Sequence, residues 1–468
     1  MRPLPGFGMA AVAGLVWACK GNCPNLAAPP SPMSYLLIAL IFLVGYACIA
    51  LEHPLKINKA ASAVLTGMLI WTVIMLGHDE LFPPAEGGHE HLLHQLYEHL
   101  SQIASILFFL LGAMAVVELM DAHEGFRVIT DRIRSTNKRA LLWVIGAITF
   151  FLSAALDNMT TAIVMAALLR KFIRDKEDVW TFAGLVIIAA NAGGAWSPIG
   201  DVTTIMLWIG GQVTTANIIL KLFVPSVVCL VLPLLYLSAR AKGRLHLVEV
   251  PAQDAAGSPS RLGAREKYLV FFLGMATLLG VPLFKAVTHL PPFMGLMLGL
   301  GVLWVFTEFI HLRHPQWSER QHMTVSSILK RIDHSSILFF LGILVAVAGL
   351  QVAGHLTDVA HLLDRSLGDI FAINTVIGML SAVVDNVPLV AAAMGMYPLA
   401  QFPTDHPFWE LLAYCAGTGG SMLIIGSAAG VAVMGILGID FGWYLRRMTV
   451  PAALGYFGGI AAFWLLWH

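Results

Sequence analysis

Three aspartates lie where a carboxylate is hard to keep. Asp157 and Asp385 each precede an asparagine inside a long apolar stretch, as Asp157-Asn158 and Asp385-Asn386. Asp201 closes the motif Asn191-Ala-Gly-Gly-Ala-Trp-Ser-Pro-Ile-Gly-Asp201-Val-Thr-Thr204. An ionisable side chain at membrane depth costs roughly 2.5–3.5 kcal/mol on insertion scales, so each needs a reason to be there. An Asp-Asn pair can turn a chain and cap the returning helix through its side-chain oxygens. Capping alone could use Ser or Asn, which carry no charge. The carboxylates therefore point to a bound cation or proton, and burial makes the two compete, because a bare carboxylate is disfavoured away from water. Asn158, Asn191, Asn386 and the hydroxyls Ser153, Thr160, Thr161, Ser197, Thr203, Thr204, Ser381, Thr418, Ser421 and Ser427 could add neutral oxygen ligands. Each hydroxyl taken singly is more often bonded back to its own helix. The sequence places no Lys or Arg near these motifs, and an acidic, oxygen-rich site suits a small hard cation, Na⁺ or Li⁺, held at Asp157, Asp201 and Asp385.

The surrounding chain explains why these positions are costly. The 468 residues are 58% hydrophobic and only 12% charged, with mean hydropathy +0.77. An ordinary soluble domain carries about 25% charged residues. This composition belongs to an integral membrane protein. The net charge of zero removes a polybasic case for nucleic acid, and the five scattered cysteines lack the spacing of a metal site or disulfide framework. Stretches of about 20 apolar residues can span a bilayer, and they occur at 33–52, 61–78, 101–120, 180–208, 217–239, 267–284, 291–311, 335–354, 408–436 and 449–467. Two further stretches, 139–170 and 370–400, are too long for one helix and too short for two passes. Their Asp-Asn pairs fall near the middle, as at the tip of a re-entrant hairpin.

Basic residues mark cytoplasmic loops. If 33–52 runs inward and both odd stretches are hairpins, the outer segments after residue 33 hold only Lys221, Lys285 and Arg365, and every other basic residue there falls inside. A full crossing at either stretch would invert that pattern. The first hairpin thus enters from the cytoplasm and the second from outside. The halves also resemble each other: Ser105-Ile-Leu-Phe-Phe-Leu-Leu-Gly112 recurs as Ser336-Ile-Leu-Phe-Phe-Leu-Gly342, Ser153-Ala-Ala-Leu-Asp-Asn158 as Ser381-Ala-Val-Val-Asp-Asn386, and Asn191-Ala-Gly-Gly194 as Gly417-Thr-Gly-Gly420. Five crossings per half turn the second copy upside down. The expected fold is all-α, an inverted repeat of 33–239 (hairpin 139–170) and 266–468 (hairpin 370–400), joined by a cytoplasmic linker at 240–265. Gly193, Gly194, Pro198 and Gly200 should break the span 180–208 at the midplane, and Gly417 to Gly430 should break its counterpart, which carries Ser427 in place of Asp201. Residues 1–32 read as either a signal peptide or a short extra span.

Ser153-Ala-Ala-Leu-Asp-Asn-Met-Thr-Thr161 followed by the Asn191–Thr204 motif closely resembles the NhaD-type sodium/proton antiporters of the ion transporter superfamily. The resemblance covers about residues 33–468. It implies a multi-pass exchanger of Na⁺ or Li⁺ for H⁺ in the bacterial inner membrane, a homodimer of scaffold and transport domains, and alternating access by an elevator motion. No cofactor and no covalent step is needed. Other readings are a dicarboxylate or arsenite carrier of the same fold class, and an intramembrane aspartyl protease. The Gly-x-Gly-Asp motif of those proteases is missing, since Asp201 follows Pro-Ile-Gly and Asp385 follows Ala-Val-Val. On the outer loop, His78, His89, His91, His94 and His99 with nearby acids read as a solvated segment, with metal binding and pH sensing as alternatives. Glu118, at the cytoplasmic end of its span, reads as interfacial, with contact to the ion path as the alternative.

Overall fold

The computed structural model describes residues 32–50, 52–81, 88–126, 137–241, 243, 245, 264–313 and 330–467. The N-terminal reading for 1–32 and most of the 240–265 linker lie outside these residues. Every element among the described residues is a helix. The first half comprises α1 (Pro32–Ala50), α2 (Lys59–Leu76), α3 (Gly88–Ala122), α4 (Lys138–Leu156), α5 (Asn158–Phe172), α6 (Lys176–Ala195), α7 (Val202–Ile209) and α8 (Thr215–Arg240). The second comprises α9 (Ala264–Thr288), α10 (Pro292–Arg313), α11 (His334–Val352), α12 (His355–Leu367), α13 (Ile370–Leu380), α14 (Asn386–Met396), α15 (Pro407–Gly419), α16 (Ala428–Leu437) and α17 (Thr449–Trp467). Large apolar side chains stay exposed along α1, α9, α10 and α17, among them Leu36, Leu40, Phe272, Leu283, Val305 and Leu465. Water would reject such a surface, and lipid accepts it. The protein is a multi-pass membrane protein.

Both Asp-Asn stretches turn back on themselves. Lys138 Nζ donates to Asp178 Oδ1 at 2.7 Å near the start of α4 and α6, and Ser153 Oγ donates to Ala190 O at 2.6 Å near their far ends. α4 thus runs parallel to α6. α5 runs against it, because Asn158 at its start reaches Asn191 (3.1 Å) while its last residue lies just before Lys176. The second hairpin repeats this arrangement. Asn374 Nδ2 meets Phe408 O at 3.3 Å and Ser381 Oγ meets Ala416 O at 2.8 Å, so α13 parallels α15. Tyr397, just past α14, has its ring 4.8 Å from that of Phe408, so α14 returns to the start of α15.

The hairpins open at opposite ends of the molecule. The first opens beside Ala241, whose carbonyl accepts from Arg139 Nε (2.9 Å). The second opens beside the turn after α7, where Asp405 N donates to Gln212 O (2.8 Å) and Thr214 Oγ1 to Asp405 Oδ2 (2.8 Å). Packing is reciprocal: α5 lies on α16 and α14 on α7, while α2 packs on α11 and α3 on α10. Glycine permits the closest approaches. A Cβ at Gly193 would stand 2.2 Å from Phe150 O, and one at Gly419 would stand 2.0 Å from Gly378 O. Those contacts bring each broken helix against the first arm of its hairpin.

By length and composition the span pattern differs from the sequence reading at three places: 33–52 falls among the shorter apolar helices and 408–436 is divided, so neither counts as a span, while the first arm of the 139–170 stretch does. Among the described residues nine helices are long and apolar enough to cross, and one is α4, the first hairpin arm. Nineteen residues at about 1.5 Å each nearly match a hydrocarbon core. α4 nevertheless ends at Asp157, where the chain reverses. The stretches 180–208 and 408–436 are broken, as α6/α7 and α15/α16.

Candidate functional site

The four helix breaks meet at one place. Asp157 N-caps α5, its Oδ1 accepting from Thr160 N (2.8 Å) and its Oδ2 from Thr160 Oγ1 (2.7 Å). Asp385 N-caps α14 through Val387 N (3.2 Å), Asp201 N-caps α7 through Thr203 N (3.1 Å), and Ser427 caps α16 through Gly430 N (3.1 Å). Four helix N-termini therefore offer their positive ends to this region. The capping role expected of the Asp-Asn pairs is present, and so is a cavity. About 200 Å³ of space is lined by Asp157, Asn158, Asp201, Asp385 and Asn386, and it extends to a mouth formed by Glu118, Asp121, Arg331 and Asp333.

Asp201 is the hub. It is 1% exposed. Asn158 Nδ2 donates to its Oδ2 at 2.9 Å, and Asn386 Nδ2 lies 3.4 and 3.3 Å from Oδ1 and Oδ2. Both hairpin tips thus hold the same carboxylate through their asparagines, while their own aspartates face the cavity. Asn191 links the set: its Oδ1 accepts from Asn158 Nδ2 (3.1 Å), and its Nδ2 donates to Ser421 Oγ (2.9 Å) and Ser427 Oγ (3.1 Å). Gly417, which the repeated motif aligns with Asn191, lies beside Asp201. A Cβ there would stand 3.4 Å from Asp201 Oδ2.

The remaining candidates divide by what their oxygens touch. Ser153, Ser381 and Ser197 donate to carbonyls of Ala190, Ala416 and Ala154, and Thr418 donates back to Tyr414 O (2.6 Å). The three serines tie neighbouring segments together and Thr418 bonds within its own helix, and none of the four lines the cavity. Thr204 closes a capping box with Asp201. Thr203 supplies its backbone N–H to Asp201. Thr161 is fully buried, and its hydroxyl has no partner among the described residues.

One feature went unseen in the sequence. Lys59, at the start of α2, brings its Nζ to 3.9 Å from Asp385 Oδ2, so a basic residue does lie beside one tip. It is remote in sequence from every motif, and only the packing of α2 on α11 delivers it. Glu118, for which the sequence offered an interfacial position or contact with the ion path, pairs with Arg331 (3.6 Å) and lines the cavity. Between α2 and α3, the rings of His78 and His89 lie 4.3 Å apart, and no group of three His, Cys, Asp or Glu among the described residues could hold a metal ion.

A family model described as a citrate transporter matches residues 30–413. Sodium/proton antiporters 1 and 2 of Arabidopsis thaliana are 48% and 45% identical to the chain over 426 residues, which is 91% of this chain and 71% and 98% of theirs. The Na⁺/H⁺ antiporter NhaD of Vibrio cholerae is 31% identical over 454 residues, covering 92% of this chain and 91% of that one. The chain belongs to the NhaD-type antiporter family. Its members named here are transporters, and the protein is no enzyme. The solved YdaH transporter of Alcanivorax borkumensis matches in fold alone, with a TM-score of 0.50 and 11% identity over 93% of this chain and 98% of that one. In this chain Asn158 and Asn386 both bond Asp201, and Asp157, Asp201 and Asp385 all line the one cavity.

Proposed function

We propose that this protein exchanges Na⁺ or Li⁺ for H⁺ across a bacterial inner membrane, with Asp157, Asp201 and Asp385 as the sites where cation and proton compete. One observation carries the reading: six carboxylates line the cavity, Glu118, Asp121, Asp157, Asp201, Asp333 and Asp385, against one lining arginine, Arg331. A citrate anion would meet net repulsion there, although the matching family model is described by that substrate. Side-chain oxygens of Asn158, Asn386, Ser421 and Ser427 would complete the shell of a small cation. Na⁺ and H⁺ each neutralise the site, so it holds one load or the other. Inverted halves at 33–239 and 266–468 and a homodimeric assembly belong to the same proposal.

Purified protein in liposomes with an imposed pH gradient tests it. Adding NaCl or LiCl should collapse the gradient, as read by a pH-sensitive dye. Collapse by citrate and not by Na⁺ would replace the cation reading with the anion carrier. For sidedness, cysteines placed at Lys138 and Arg174 should react only from the cytoplasm, and those at Gly88 and Thr404 only from outside. Labelling of 138 and 174 from opposite faces would remove the hairpin orientation.

A further inference from the structure

Lys59 is the basic side chain placed against a hairpin tip. Its Nζ stands 3.9 Å from Asp385 Oδ2 and 4.6 Å from the centre of the Phe339 ring, and the two charged side chains are 25% and 16% exposed. A second cavity of about 100 Å³ runs alongside, lined by Tyr46, Glu52, Lys59, Asp385 and Ser427. Glu52 Oε1 accepts from the backbone N of Lys59 (3.2 Å), which fixes the start of α2. The ammonium itself remains on a flexible stem between two seats, one carboxylate and one aromatic face.

We propose that Lys59 is a tethered competitor for Asp385: its ammonium neutralises the carboxylate while the site is unloaded, and an incoming Na⁺ must displace it toward Phe339. The inference rests on the exchange reading above and deepens it by naming a specificity-determining residue. The pair joins α2 of the first half to the hairpin tip of the second, so loading Asp385 also frees a contact between the halves. The other groups facing Asp385 are Glu52 and Tyr46 in the smaller cavity, and Asp157, Asp201, Glu118, Asp121, Asp333 and Arg331 in the larger. The acids among them favour a bound cation, and Lys59 opposes it at close range.

The sign of the effect follows. Without the ammonium, Asp385 binds Na⁺ more tightly. Lys59→Gln should therefore lower the apparent KM for Na⁺ by about three- to tenfold, the range between an exposed and a half-buried ion pair. Lys59→Arg, which keeps the charge, should stay near the wild-type KM. A purely structural lysine would change protein yield or maximal rate and leave KM alone, and that result overturns the proposal. If Lys59→Gln does not fold, the wild-type protein serves. Acylation of Lys59 by an amine reagent, followed by mass spectrometry, should accelerate as NaCl replaces choline chloride. Constant reactivity in a protein that exchanges Na⁺ for H⁺ refutes the competitor role alone. A wild type with no exchange refutes the function reading, and this inference with it.

Discussion

Asp201→Asn should leave a protein that inserts at wild-type levels and moves almost no Na⁺ against H⁺. The substitution keeps the shape and an oxygen for Thr203 N, so the cap of α7 persists. It removes the charge at the point where both hairpin tips converge through Asn158 and Asn386. At an effective dielectric of about 20, a unit charge acting on a cation about 4 Å away contributes about 4 kcal/mol, nearly three decades in affinity. The new amide also presents N–H groups to the asparagine donors, so the network must rearrange as well. Ser427, its counterpart in the second half, tells the opposite story. Ser427→Ala removes one neutral partner of Asn191 and the side-chain cap of α16 at Gly430 N; it should cost about 1 kcal/mol of stability through the cap and raise the apparent KM for Na⁺ by about two- to tenfold through the lost bond to Asn191, about 0.5–1.5 kcal/mol. Exchange assays in liposomes that gave small, equal losses for both would make the charge asymmetry incidental.

That asymmetry could be read from the chain alone, because aligning the two repeated motifs sets Asp201 opposite Ser427 and Asn191 opposite Gly417. The chain reversals at the two Asp-Asn pairs could be read too, since a polar pair that can turn the chain and cap a helix sits at the centre of each stretch of awkward length. The described helices turn at the expected Asp-Asn pairs. What stayed hidden depends on long-range packing and on rotamers. Lys59 lies 326 residues from Asp385, and no periodicity links them. Nor does the dipeptide Asp-Asn say which side chain turns inward. In both tips the asparagine bonds Asp201 and the aspartate caps its helix, a division that needs the packing of α5 on α16 and of α14 on α7. Most of the hydroxyls were ambiguous for a similar reason, since a serine that ties two helices through a carbonyl has the same sequence signature as one that binds an ion.

The two tip aspartates separate charge from capping. Asp157→Asn and Asp385→Asn keep an oxygen for Thr160 N and Val387 N, so helix starts should survive and protein levels should stay near wild type. At position 157 the hydroxyl of Thr160 can turn to accept from the new amide. Yet Asp157 carries more than a cap would require. Its backbone sits at φ 89 and ψ 157, a region that glycine enters freely and other residues enter at a cost of order 1–3 kcal/mol. Glycine would relieve that strain, and serine or asparagine would cap as well, so the carboxylate itself is the feature that the site retains at a cost. Asp385, at φ −53, has no such strain, but it faces Lys59. Removing its charge leaves the ammonium as an unbalanced cation beside the cavity. Both Asn variants should therefore lose Na⁺-dependent proton movement by about a hundredfold or more across the active pH range, since an amide offers Na⁺ only a dipole and H⁺ no site. Glu variants should retain measurable exchange with a displaced pH profile, because a longer carboxylate still titrates. Wild-type rate and Na⁺ affinity in either Asn variant, measured in the same liposomes, would reduce that aspartate to a turn residue and leave Asp201 with the remaining tip as the binding pair.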